Sequence, residues 1–167
     1  IYDDAGFFVG NIALVKINNK YGYINNKGKF IIPPQFDDCH SFDNGLAAVC
    51  VGGKWGYINF KGDYVILPKY EEAKDFDTFF GNLAAVKNTN GKWGFIDAEE
   101  IINIPFVFDA VSYNLYEDIN GINLYMVKRD DREYYINCEG EECFHVLWDD
   151  ENPNWEYYEE IDDFSGD

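Results

Sequence analysis

Apolar residues fall in short runs of β-branched and aromatic side chains, and glycine, asparagine and proline cut the runs at regular places. Leu46-Ala47-Ala48-Val49-Cys50-Val51 is followed by Gly52-Gly53 and then by Lys54-Trp55-Gly56-Tyr57-Ile58-Asn59. Two extended segments joined by a two-residue Gly-Gly turn are a β-hairpin signal. In the second segment large rings alternate with a small residue in the manner of a strand. Lys27-Gly28 and Lys61-Gly62 mark a second turn, where glycine supplies positive φ. Phe30-Ile31-Ile32 and Tyr64-Val65-Ile66-Leu67 then run until Pro33 and Pro68, residues that cannot donate into a ladder. Each unit reads as a three-stranded antiparallel meander. The segment from Tyr70 to Phe76 fits one helical turn or an extended return strand equally well.

The pattern repeats. Lys20-Tyr21-Gly22-Tyr23-Ile24-Asn25, Lys54 to Asn59 and Lys92-Trp93-Gly94-Phe95-Ile96-Asp97 are near copies, and Glu133-Tyr134-Tyr135-Ile136-Asn137 is a diverged fourth. With Ile24, Ile58, Ile96 and Ile136 as anchors, an aromatic recurs at Phe36, Tyr70, Phe108 and Trp148. An acid follows each one, at Asp37, Glu71, Asp109 and Asp149, and a valine precedes each anchor at Val15, Val49, Val86 and Val127. A period of 34 to 40 residues marks a repeat architecture. The expectation is an all-β chain of tandem units stacked as an open curved array, with propeller-like closure as the alternative. Copies fall at about 19–50, 53–87 and 91–127, with a degenerate one at 127–149, inside a repeat region of 17–147. Residues 1–16 match the end of a unit, so the chain is expected to be a piece of a longer array. Residues 148–167 form a separate acidic, aromatic segment.

Lys-Trp-Gly-[Tyr/Phe]-Ile-[Asn/Asp], a Lys-Gly turn, Ile-Ile-Pro, an aromatic-acid pair and Gly-Leu-Ala-Val together resemble the WG-repeat (KWG) family of bacterial proteins. The likeness covers residues 8 to 110 well and 121 to 149 weakly. Tyr21 replaces the tryptophan of the first copy, Glu100 the turn glycine of the third, and Glu133 and Tyr134 the Trp-Gly pair of the fourth. The resemblance implies surface-presenting or accessory domains and brings no catalytic residue set with it.

Charge changes the picture at one end. Residues 1–110 hold 14 acids against 10 lysines, whereas residues 111–167 hold 17 acids against Lys128, Arg129 and Arg132, a net −14 of the chain's −18. Such a surface repels phosphate, which argues against nucleic acid or an anionic lipid surface as a direct ligand. No apolar run approaches the roughly 20 residues of a membrane helix. A basic protein is the partner that this charge attracts. The candidate docking residues are Trp148, Asp149, Asp150, Glu151, Trp155, Tyr157, Tyr158, Glu159, Glu160, Asp162 and Asp163. The competing reading is that the acids cap the array and keep it soluble.

Candidate chemistry is otherwise sparse. Cys39 and Cys50 occupy small apolar positions and read as buried thiols, while Cys138 and Cys143 across a turn leave a zinc or disulfide role open. The recurring acids read as turn or cap groups accepting backbone N–H bonds, because a catalytic pair needs two unlike environments and repeated positions provide like ones. No nucleophile elbow, phosphate loop or calcium loop is present. Tyr21, Gly22, Trp55, Gly56, Trp93 and Gly94 read as structural, glycine letting the indole of a neighbouring unit lie close over the backbone. These features point to a non-enzymatic protein-interaction module without cofactor or metal. The alternatives are an acidic inhibitor of immunity type that neutralises a basic toxin or enzyme, and a glycan- or wall-binding module using Tyr and Trp faces.

Overall fold

The computed structural model describes residues 2–117 and 123–145. These residues form sixteen strands and no helix, in four antiparallel sheets of four strands each, and no sheet is closed into a barrel. The first sheet is β1 (Asp4–Val9), β2 (Ile12–Ile17), β3 (Lys20–Asn25) and β4 (Phe30–Phe36). The second is β5 (Asp38–Cys39), β6 (Leu46–Val51), β7 (Lys54–Asn59) and β8 (Tyr64–Tyr70). The third is β9 (Glu72–Asp77), β10 (Leu83–Lys87), β11 (Trp93–Ile96) and β12 (Ile102–Phe108). The fourth is β13 (Ala110–Glu117), β14 (Asn123–Arg129), β15 (Arg132–Ile136) and β16 (Glu142–His145). Within every sheet the strands lie in chain order, so the protein is an array of tandem meanders.

Each sheet has one strand more than the three-stranded meander expected from the sequence. The undecided stretch resolves as extended: Tyr70 ends β8 and Glu72–Asp77 opens the next sheet as β9. The extra strand was hidden by phase. A sequence copy starting near the Lys-aromatic-Gly motif supplies the last two strands of one sheet and the first two of the next. A single residue links successive sheets, and it is the recurring acid: Asp37 between β4 and β5, Glu71 between β8 and β9, Asp109 between β12 and β13.

Proline does not stop the strands as its position suggested. Tyr21 pairs with Phe36 and Tyr23 with Ile32, so two residues of β3 span four of β4; Trp55–Tyr70 and Tyr57–Ile66 repeat this, as do Trp93–Phe108 and Phe95–Ile104. Pro33, Pro34, Pro68 and Pro105 sit in these bulges, where the ladder does not call on their missing N–H.

The core lies between sheets. Tyr23, Ile32 and Phe36 of the first sheet pack on Cys39, Phe42, Ala47, Val49 and Ile58 of the second. Ala48, Tyr57, Ile66 and Tyr70 on the other face of that sheet pack on Ala73, Phe76, Ala84, Val86 and Ile96 of the third. Phe95, Ile104 and Phe108 meet Val111, Tyr125, Val127 and Ile136 in the same way. Val49 and Ala48 thus face opposite neighbours, which explains why β6 is apolar along almost its whole length: a sheet covered on both faces has no solvent side.

Candidate functional site

The repeated motif is the densest set of recurring side chains in the protein, and the structure gives each letter a task. Its lysine reaches the linking acid 17 residues on: Lys20 to Asp37, Lys54 to Glu71 and Lys92 to Asp109, each with Nζ 2.5 Å from a carboxylate oxygen. The acid has a second duty. Asp37 Oδ2 accepts the backbone N–H of Gly52 at 2.7 Å, and Asp109 Oδ2 that of Asp130 at 3.0 Å. One carboxylate therefore ties β3 of its own sheet to the hairpin turn of the next. Lys20 and the Gly52 amide hold the Asp37 carboxyl below its usual range, and Lys92 and Asp130 do the same for Asp109.

The motif glycine answers to backbone. A Cβ on Gly22 would lie 2.6 Å from Pro34 N and 2.7 Å from Ile32 O, and one on Gly56 would lie 2.7 Å from Pro68 N and 2.8 Å from Leu67 C. The bulged strand crosses directly over the glycine, so the expectation that a neighbouring indole fills that space is corrected: the bulge fills it. At Gly94 the bulged strand crowds the position with Ile104 O at 2.8 Å and with the ring of Phe106 at 3.0 Å, so there an aromatic side chain of the same bulge shares the space.

The tyrosine after the glycine staples sheet to sheet. Tyr23 donates its hydroxyl to His40 O at 2.7 Å, and Tyr57 to Lys74 O at 2.6 Å, each acceptor lying at the start of the next sheet. Burial raises the Tyr23 hydroxyl far above its ordinary value, so it acts as a neutral donor. The closing Asn or Asp folds the second turn: Asn25 Oδ1 accepts the N–H groups of Lys27 and Lys29, Asn59 those of Lys61 and Asp63, Asp97 those of Glu99 and Ile101, and Asn137 those of Glu139 and Glu141. Glu100, in the place of the turn glycine, has φ of 65° and holds Lys69 Nζ at 2.6 Å and the Tyr70 hydroxyl at 3.1 Å. Trp93 is 5% exposed, with Lys74 and Lys87 over its ring; Trp55 and Tyr21 are half-buried, Trp55 against His40.

The family model for the WG containing repeat matches residues 1–21, 21–55 and 55–93, successive copies that cover more than half of the chain. The chain belongs to the WG-repeat family. The matched copies break at Tyr21, Trp55 and Trp93, so the copies at 21–55 and 55–93 each straddle two sheets, whereas the one at 1–21 lies within the first. No curated protein matches the chain.

Outside the WG motif an open cleft of ≈ 290 Å³ lies between Asp43, the stretch from Lys74 to Phe79, and Tyr125. Asp75 binds His40 Nδ1 at 2.9 Å, and Asp77 accepts the Tyr125 hydroxyl at 2.9 Å and the Phe79 N–H at 2.8 Å. Phe79 is largely exposed at the rim. Carboxylates beside an accessible ring suit a cationic side chain better than an anion. Cys39 is a buried thiol pushed up to about 12 by burial, and Cys50 is buried as well. No disulfide joins Cys138 to Cys143, and their sulfurs are directed at Glu139 Oε2 and Glu141 O.

The expected docking residues, Trp148, Asp149, Asp150, Glu151, Trp155, Tyr157, Tyr158, Glu159, Glu160, Asp162 and Asp163, lie outside the described residues. The lysine–acid ties and the tyrosine staples were not anticipated from sequence. The signal for the first was present in the constant spacing of 17 between lysine and acid.

Proposed function

We propose that this WG-repeat chain is a non-enzymatic interaction module that docks a basic protein through its acidic C-terminal part. The observation that carries the reading is the charge asymmetry, a net −14 over residues 111–167 beside a nearly balanced remainder. A field of that sign accelerates encounter with a cationic partner and suppresses binding of nucleic acid. The cleft with Asp43, Asp75 and Phe79 adds a place on the repeat body that suits a Lys or Arg side chain. The repeated acids that could have suggested chemistry are engaged as ties between sheets, which supports a binding role over an enzymatic one.

An inhibitor of immunity type is the finer form of the same reading: the acids would cover a cationic active site. A glycan platform on Trp55 and Trp93 draws no support from their placement, since Trp93 offers no open face. The test is affinity capture from the source lysate at low and high salt, with the natural chain beside one in which Asp149, Asp150, Glu151, Glu159, Glu160, Asp162 and Asp163 are neutralised. The reading expects a basic protein that the natural chain retains at low salt, that salt releases, and that the neutralised chain fails to hold. Retention of the same proteins by both chains at both salts would overturn it.

A further inference from the structure

Charge is graded along the array. Residues 2–36 hold two acids against four lysines, residues 38–70 three against three, residues 72–108 six against three, and residues 110–145 eight acids against three basic residues. Residues 146–167, which lie outside the described residues, hold nine acids and no base. Most lysines of the first three sheets already have a carboxylate: Lys20, Lys54 and Lys92 hold the linking acids, and Lys69 and Lys87 hold Glu100 and Glu72. Lys27, Lys29 and Lys61 hold no acid among the described residues. All three are exposed, and they sit on the second turns of the first and second sheets.

These lysines adjoin apolar surface. Phe30 follows Lys29 into β4 and is 39% exposed. Tyr64 holds the same place in β8, pairing with Ile58 as Phe30 pairs with Ile24, and is 43% exposed beside Val65 at 42%. The second turn of the second sheet lies against β4 of the first: a Cβ on Gly62 would be 3.3 Å from Ile32 Cγ1. Lys27 and Lys61 each stand just before their turn glycine, so they occupy equivalent places in sheets stacked about 10 Å apart. Cations and rings thus form one row across the first two sheets.

We propose that this row of lysines and rings is a docking surface for the acidic, aromatic segment 146–167 of the same chain. Two complementarities select that occupant. Its nine acids match ammonium groups that have no carboxylate, and Trp148, Trp155, Tyr157, Tyr158 and Phe164 offer ring faces to Phe30, Tyr64 and the lysines. An acidic protein from outside would meet the field of a chain with net −18, whereas the chain's own segment is tethered and the like charge of residues 110–145 favours its moving away from them. Reach is ample, since three sheet spacings are about 30 Å and an extended chain of this segment's length spans about 70 Å. Exposed ion pairs are individually weak, and the tether offsets this by making the encounter intramolecular. The contact needs no external partner, so its test is independent of the docking proposed above. A basic protein that takes these acids must displace them from the lysines.

Carbodiimide coupling of the full chain, read by mass spectrometry, tests the proposal, because it joins a lysine amine to a carboxylate only where the two touch. At low salt Lys27, Lys29 and Lys61 should couple to acids between Asp149 and Asp163. High salt should abolish these links and spare those of Lys20 to Asp37 and Lys92 to Asp109, which the fold holds together. Combining Lys27→Gln, Lys29→Gln and Lys61→Gln should leave the segment without partners on the first two sheets. The melting temperature should not move, since all three side chains are exposed. In a mixture of isotope-labelled and ordinary chains, the links should join residues of one chain. Absence of the links at low salt, or coupling of the segment to Lys128 as readily as to the three lysines, overturns the proposal. Links between labelled and ordinary chains overturn it in favour of a second copy as the occupant.

Discussion

Gly22, Gly56 and Gly94 are the positions where a single methyl decides the fold. Backbone atoms of the bulged strand lie where a Cβ would go at Gly56, and backbone cannot rotate away as a side-chain tip can. Gly52 makes a different demand: its φ of 60° favours glycine, but nothing lies within 4 Å of a Cβ there. Gly52→Ala should lose only about 1–2 kcal/mol, the strain of a left-handed residue. Gly56→Ala meets backbone on several sides and should lose at least about 3 kcal/mol, the upper end for overpacking. Chemical denaturation of the two variants checks the order, and equal losses would mean that the bulge yields. At this scale the sequence was legible in residue type and misleading in cause. Glycine next to tryptophan invited the indole of a neighbouring unit, whereas the atoms that crowd it lie 10 to 12 residues on, in a bulge that no local pattern displays.

The element scale is where the linking acids act. Asp37 alone separates β4 from β5, and its carboxylate holds both Lys20 and the turn amide of Gly52. Its folded pKa is lowered from a starting value of 3.8 by the Lys20 hydrogen bond first and the Gly52 amide second. The stabilisation is therefore complete above the unfolded value and lost as pH falls through the still lower folded one. Melting curves of the natural chain and Asp37→Asn should differ at neutral pH and converge in acid below 3.8; a gap that holds its size in acid would contradict the tie. Strand existence and the hairpin turns were legible from apolar runs and glycine pairs. The fourth strand was not, because the linker is one residue long and carries no Gly or Pro punctuation. The tryptophans belong to this scale too. Trp93 is buried in the core between the third and fourth sheets, and Trp55 lies half-buried beside His40. Trp93→Ala should lose about 3–5 kcal/mol, Trp55→Ala less, and Glu133→Ala least. Thermal melts that place Trp55 level with Trp93 would contradict this order.

Across the whole molecule, the WG motif is spent on joining sheets. Lysine, glycine, tyrosine and asparagine of the first two copies contact the chain itself, as do Lys92, Gly94 and Asp97 of the third, and the two faces of the inner sheets are covered by their neighbours. The proposed docking then falls to residues outside the motif, and the strongest signal among them in the sequence is charge. That asymmetry was legible at once, because net charge needs no fold; which side chains it gathers on a surface was not. The central claim is that the repeats build and the acids bind. Its most direct test is the association rate with the captured basic partner, measured across salt for the natural chain and for the chain neutralised at Asp149, Asp150, Glu151, Glu159, Glu160, Asp162 and Asp163. The account predicts fast, steeply salt-dependent association for the natural chain and slower, flatter association for the neutralised one, whose melting temperature stays equal or rises as self-repulsion falls. On-rates that coincide at every salt concentration would contradict it.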